Sequence, residues 1–93
     1  MIISFGDKQT QRIWEGEQVT SRPRELQRIA RRKLRMLDAA NHLFDLTTPP
    51  SNRLERLKGR LKDYYSIRIN SQWRIVFQWI DNHAYEVQIA DYH

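Results

Sequence analysis

Two periods of apolar residues divide the chain and predict two kinds of structure. Between Leu26 and Phe44 apolar side chains return at steps of three and four, at Leu26, Ile29, Ala30, Leu34, Leu37, Ala40 and Leu43/Phe44, the spacing that gathers one stripe on an α-helix. Arg24, Arg28, Arg31, Arg32 and Arg35 fall mostly off that stripe, so the helix is expected to pack by its leucines and show its arginines. From Tyr64 the period drops to two. Tyr65, Ile67 and Ile69 alternate with Ser66 and Arg68, then Trp73, Ile75, Phe77 and Trp79 with Arg74, Val76 and Gln78, with Asn70-Ser71-Gln72 as the turn of a hairpin. After a second turn at Asp81-Asn82-His83, Tyr85, Val87 and Ile89 alternate with Glu86, Gln88 and Ala90, and this strand runs directly into Asp91-Tyr92-His93.

The punctuation between these runs sets the order of elements. Ile2 to Phe5 is a short apolar run predicted as a first strand, and Gly6-Asp7 breaks it and starts a short helix reaching about Trp14. Gly16 to Ser21 is polar linker, with Ser21 a candidate cap for the long helix and Pro23 in its first turn, where a missing N–H costs nothing. In "TTPPSN", residues 47–52, two prolines remove backbone donors and hold the chain extended, which separates a helical half from a sheet half. The expected architecture is α+β: a strand, a short and a long helix, then about three or four antiparallel strands with the helices stacked on one sheet face.

Composition narrows the picture. A chain of 93 residues is one domain, 1–93, with a single modest core, so only one site need be sought. The 40% hydrophobic content is too high for a disordered chain. Having no cysteine, the chain has neither disulfides nor a thiolate nucleophile nor a thiolate zinc site. No basic leader or long apolar run is present, so the expectation is a cytoplasmic protein with no membrane partner. The net charge of +5 is local: seven of the fourteen residues from Arg22 to Arg35 are basic against Glu25 alone, and five of the ten from Arg53 to Lys62 against Glu55 alone. A polyanion or an acidic protein is the expected partner, a solvated helix face the bland alternative.

Several chemistries are missing. Three scattered glycines build no phosphate-cradling loop, and no serine sits in a nucleophile elbow. His42, His83 and His93 lie at no metal-ligand spacing, His42 reading as helix surface and His83 as turn, so neither metal nor other cofactor is expected. What remains is a set of cations and proton carriers on the sheet half. Lys58 lies at the start of the sheet, Arg68 and Arg74 take the polar parity of paired strands, and Tyr92 shares the parity of Gln88 and Ala90. If these parities form one face, the four side chains converge on a patch suited to a phosphodiester. Metal-free RNA cleavage needs a base for the 2′-OH, an acid for the leaving 5′-oxygen and fixed cations for the extra charge of the phosphorane. Arg68 and Arg74 suit bidentate phosphate binding, Lys58 adds a point charge, and Tyr92, Asp91 and His93 compete for the proton-transfer roles. A non-catalytic basic RNA- or ribosome-binding module fits the same charges but gives the terminal triad no task.

"KLRMLDAA", "RLERLKG", "YSIRINSQWRIVFQW" and the terminal "ADYH" together resemble the HigB family of plasmid-maintenance toxins within the RelE superfamily, over nearly the whole chain. The resemblance implies a RelE-like microbial RNase fold, a three- to five-stranded antiparallel sheet with two N-terminal helices on one face. It implies a ribosome-dependent mRNA endonuclease working without metal in the ribosomal A site, neutralised by a HigA-type helix-turn-helix antitoxin through which it reaches operator DNA. It places Arg74, Asp91, Tyr92 and His93 at the active site and Lys58 in its basic cluster, with Arg68 at the matching "SIR" position. Some members carry histidine where this chain has Glu55, and Arg60 makes the loop after Lys58 more basic than usual. Arg28, Arg31, Arg32 and Arg35 on the helix, and Arg53, Arg56, Arg60 and Lys62 before the sheet, are then expected to dock on ribosomal RNA through phosphate contacts.

Overall fold

In the computed structural model, which describes residues 1–91, two helices lie on one face of a four-stranded antiparallel sheet. Helix α1 spans Lys8–Trp14 and α2 spans Arg24–Ala39; the strands are β1 (Glu55–Arg56), β2 (Tyr64–Arg68), β3 (Trp73–Ile80) and β4 (His83–Asp91), paired in chain order. Among the described residues no helix is long and apolar enough to cross a membrane.

Helix α1 starts where Gly6-Asp7 predicts, with the Asp7 carboxylate accepting from the Thr10 backbone N–H at 2.7 Å. Helix α2 buries Leu26, Ala30, Leu34 and Leu37 against the sheet, as its stripe requires. Its ends differ from expectation. Ser21 does not cap it; Pro23 occupies the N-cap position with no side-chain hydrogen bond, and the buried Gln27 does the joining instead. The Gln27 amide accepts from the Val19 N–H at 2.9 Å and donates to the carbonyls of Val19 and Arg22 at 2.7 and 2.6 Å, pinning the linker to the helix. The pinned linker sets Arg22 over the Trp73 ring, 4.5 Å from its centroid. The helix also stops at Ala39, not near Phe44, because Leu43–Thr47 winds into a 3₁₀ turn that keeps Leu46 in the core but leaves Phe44 exposed. "TTPPSN" does not end helical geometry entirely, since Pro50–Asn52 forms one more 3₁₀ turn.

The sheet is a meander. Asn70 makes the first hairpin turn by accepting from the N–H groups of Gln72 and Trp73, at 2.9 and 2.8 Å. The second turn has Asp81 and Asn82 at φ 51° and 65°, the left-handed pair that matches the twist of a two-residue hairpin. His83 is therefore the first residue of β4, paired with Ile80, and not part of the turn; His42 is likewise not on α2 but precedes the 3₁₀ turn. Ile67, Ile75, Phe77, Val87 and Ile89 fill the helix-covered face, as their alternation predicts.

Tyr85 does not join them. Val76 pairs with Gln88 but Gln78 with Tyr85, so β4 carries one extra residue opposite Phe77, and Glu86 bulges there at φ 52°. The bulge flips the parity: Ala84 is buried in the core and Tyr85 shares the opposite face with Gln78. Ser4 holds the bulge by accepting from the Glu86 N–H at 2.9 Å. The N-terminal run that supplies Ser4 is not a regular strand but makes two isolated parallel bridges to β4, Ile2 to Ala84 and Phe5 to Val87, because a bulged strand offers it no even ladder. Beyond the bulge, the Ile89 N–H donates to the buried Thr10 hydroxyl of α1 at 3.0 Å, which anchors the end of β4 just before Asp91.

Replacing Gln27 with leucine keeps the volume and strands the Val19 backbone groups without partners; urea denaturation is expected to show a loss of roughly 2–4 kcal/mol, at about 1–3 kcal/mol per buried unsatisfied group.

Candidate active site

Arg74 lies in the middle of the sheet on the face that the helices leave uncovered, yet it is only 5% exposed. Its Nε donates to the Ser66 hydroxyl on β2 at 2.8 Å, and its Nη2 donates to the backbone carbonyl of Arg53 at 2.6 Å. Nη1 is 3.6 Å from the Glu55 carboxylate on β1, which remains about half exposed. The pairing register explains the convergence. Glu55 stands opposite Ser66, Ser66 opposite Val76 and Arg68 opposite Arg74, so alternate residues of three strands share this face. β1 is only two residues long with no apolar alternation, which is why its period announces nothing.

The Arg53 carbonyl is aimed by its backbone, which is left-handed at φ 45°. A non-glycine residue holds that conformation only when its surroundings enforce it. Here the enforcement comes from the fully buried Asn52, which accepts from Lys33 Nζ on α2 at 2.5 Å and donates to the carbonyls of Leu46 and Thr48 at 3.1 and 3.3 Å. Burial, and then the neighbouring charge of Arg32, push the Lys33 pKa down. A chain of hydrogen bonds thus runs from the long helix through Asn52 to the backbone that holds Arg74.

Beside Arg74 the segment after β1 folds over the open face and closes a cleft of about 460 Å³ lined by Glu55, Lys58, Leu61, Val76, Ala90 and Asp91, among others. Val76, on the polar parity of its strand, is nevertheless buried and lines the cleft with Leu57 and Leu61. Lys58 is exposed at the rim, and Gly59 after it turns the chain at φ 69°. Asp91 closes the far side and accepts from the Gln72 amide at 3.2 Å, so the first hairpin turn sets one wall of the cleft. Arg68 is half-buried next to Arg74. Of the expected site residues, the structure places Lys58 and Asp91 on the lining of one cleft and Arg68 and Arg74 side by side on the open sheet face next to it; Tyr92 and His93 lie outside the described residues. The two-pronged phosphate grip expected of Arg74 meets a guanidinium whose Nε and Nη2 already donate to protein oxygens.

The outlying cations do not form one surface. Arg53, Arg56, Arg60 and Lys62 are exposed around the cleft, with Arg56 Nε donating to the Lys62 carbonyl at 3.4 Å. Helix α2 covers the other sheet face, so its solvent side points away from the cleft. On it Arg31 is used internally, donating to the carbonyls of Ile13 and Glu17 at 2.9 and 3.2 Å, and so ties the end of α1 to α2. Arg28 pairs with Glu25 at 2.5 Å, and this hydrogen bond, with the charge behind it, lowers the Glu25 pKa. Arg32 and Arg35 are exposed. Sequence reasoning missed Ser66, Gln72 and the Arg53 carbonyl; the pairing of "SIR" with "WRI" across a short turn was the available signal for Ser66.

A family model described as the RelE-like toxin of the type II toxin-antitoxin system HigB matches residues 3–93. Toxin HigB-1 of Vibrio cholerae is 41% identical over 85 residues, covering 90% of each chain. The Proteus vulgaris protein named Endoribonuclease HigB is 34% identical over 94 residues and is covered completely, as is this chain, at 100%. Among solved structures, a chain of the YoeB-YefM complex from Staphylococcus aureus superposes with a TM-score of 0.63 at 22% identity, over 100% of this chain and 98% of that one, which is a likeness of fold.

Ser66→Ala leaves a buried guanidinium short of one acceptor and is expected to lower stability by about 1.5–3 kcal/mol in chemical denaturation. Arg74→Lys does not restore the site, because an ammonium on a flexible stem cannot reach Ser66 and Arg53 together; an Arg74→Lys protein as stable as wild type would contradict this geometry.

Proposed function

We propose that this chain, which belongs to the HigB-like family of RelE-like toxins from type II toxin-antitoxin systems, is an endoribonuclease that cleaves mRNA on the translating ribosome without a metal ion. The observation that carries the reading is one open cleft lined by Lys58 and Asp91, with Arg74 and Arg68 paired beside it on the sheet face that the helices leave uncovered. Cleavage proceeds by attack of a ribose 2′-oxygen on the adjacent phosphorus and departure of the 5′-oxygen, leaving a 2′,3′-cyclic phosphate. A base takes the 2′-OH proton and an acid supplies one to the leaving oxygen. Asp91, Tyr92 and His93 supply these groups. Lys58, Arg68 and the Nη1 side of Arg74 stabilise the charge that accumulates on the phosphoryl oxygens, and a phosphate entering there competes with Glu55 for Arg74.

Pre-positioned cations suit transition-state stabilisation, since they need no reorganisation when charge develops. Arg74, held by Ser66 and Arg53, is such a cation. The cleft is shallow and has little to align the 2′-OH with the phosphorus, and the ribosomal A site supplies that alignment. The chain's own partner is an antitoxin, by its membership of a toxin-antitoxin family; we assign it to the HigA type, a helix-turn-helix protein through which the toxin reaches operator DNA indirectly. Ribosome and mRNA place the action in the cytoplasm. Arg53, Arg56, Arg60 and Lys62 bind RNA phosphates beside the cleft, while Arg32 and Arg35, on the opposite side, meet a separate ribosomal surface.

A second reading rests on the burial of Arg74: with two donors spent on protein oxygens, the cleft would hold RNA phosphates without cutting them. Primer extension on an mRNA in a reconstituted translation system separates the two. Wild type is expected to give discrete cuts only when ribosomes are present, and Tyr92→Phe and Arg74→Ala to slow cutting by about 10²–10⁴-fold. Ribosome binding without cuts would establish the binding module instead.

A further inference from the structure

A second cavity of about 370 Å³ lies beside the cleft, lined by Arg56, Asp63, Tyr65, Gln78, Trp79 and Ile80. Arg56 lines both cavities, so they are neighbours along the β1 edge of the sheet. Their chemistry differs. The cleft is lined by Arg56 and Lys58, by the carboxylates Glu55 and Asp91 and by aliphatic side chains, whereas the second cavity adds to Arg56 two half-buried aromatic rings and the carboxylate of Asp63. Tyr65 and Trp79 are held by the core through Phe77, stacked against Tyr65 at 6.2 Å and edge-on to Trp79 at 6.3 Å between centroids. The Asp63 side chain makes no hydrogen bond among the described residues, and Asp63 lines the cavity.

This combination fits a base and not a phosphate. Aromatic rings fixed from behind offer faces on which an unstacked nucleobase rests, the usual basis of single-stranded RNA recognition. Asp63 repels a phosphate but accepts hydrogen bonds from a base edge. Of the four RNA bases, guanine presents two adjacent donors there, N1–H and the N2 amine, matched to the two oxygens of a carboxylate. Arg56, at the boundary, is placed for the phosphate that joins this nucleotide to the one in the cleft.

We propose that the cavity formed by Tyr65, Trp79, Asp63 and Arg56 is a guanine-selective subsite for a nucleotide flanking the scissile bond. The inference rests on the reading of the cleft as an RNA site and adds to it a source of sequence preference.

The test reads binding without cleavage. 2′-O-Methylated trinucleotides U-G-U and U-I-U, the second with inosine in place of guanosine, lack the attacking hydroxyl and differ only in the N2 amine. Each is titrated against the full chain while the indole N–H resonance of Trp79, assigned with Trp79→Phe, is followed by NMR. The expected result is a shift of that resonance, with U-G-U binding about tenfold more tightly than U-I-U, and a preference reduced to near unity in Asp63→Asn. Asp63 is exposed, so this variant should fold, and the dispersion of its spectrum checks that it does. Equal affinities, a silent Trp79 resonance, or a guanine preference that survives Asp63→Asn would each overturn the subsite. Cuts in primer extension combined with any of these results leave the nuclease standing without it; guanine preference without cuts leaves the subsite standing on a protein that binds RNA.

Discussion

Burying a guanidinium in the middle of a sheet is expensive unless its donors meet acceptors, and the contacts that make it possible here organise the open face of the molecule. The cost of taking such a charge out of water is several kcal/mol even after relaxation. Ser66 and the Arg53 carbonyl meet two of the donors of Arg74, and Glu55 stands 3.6 Å from a third nitrogen. These groups come from β2, from the turn before β1 and from β1 itself. The short first strand, with few hydrogen bonds of its own, is held by the same cation that sits beside the cleft. Stability and the candidate chemistry are therefore coupled at one residue: a substitution at Arg74 removes a charge and also a junction between three segments.

That junction extends to the helical layer. Asn52 is buried between α2 and the loops after it and sets the left-handed turn whose carbonyl reaches Arg74. On the other side of the sheet, the bulge at Glu86 and the bond from Ile89 to Thr10 decide how β4 arrives at Asp91. Both walls of the cleft are thus positioned by helices that never touch it. A shallow site on a small domain needs such support, because its own lining is too sparse to hold each group within the few tenths of an ångström that catalysis requires.

Net charge overstates what is available for binding. Of the cations crowded between Arg22 and Arg35, Arg22 lies over Trp73, Arg28 is matched with Glu25, Arg31 secures the end of α1, and Lys33 is buried on Asn52. The exposed remainder on this helix is on the side away from the cleft. Around the cleft Arg53, Arg56, Arg60 and Lys62 stay at the surface.

The layers of the fold were legible in the chain itself. The leucine stripe from Leu26 to Leu37 and the alternation from Tyr65 to Phe77 are local patterns dictated by helix and strand periods, and the sheet and its covered face follow from them. Asp7, Asn70 and the Asp81-Asn82 pair also act through their immediate neighbours, so their turns and cap could be read directly. The open-face parity of Arg68 and Arg74 was likewise visible, and the motifs shared with the toxin family reinforced it. What tertiary structure alone decided depended on partners distant in sequence. The parity of Tyr85 hangs on a bulge held by Ser4, the α2 junction on Gln27, and the burial of Arg74 on Ser66 and the Arg53 carbonyl. No local period encodes such contacts, because each is a hydrogen bond satisfied across the fold, and only the packed molecule brings donor and acceptor together.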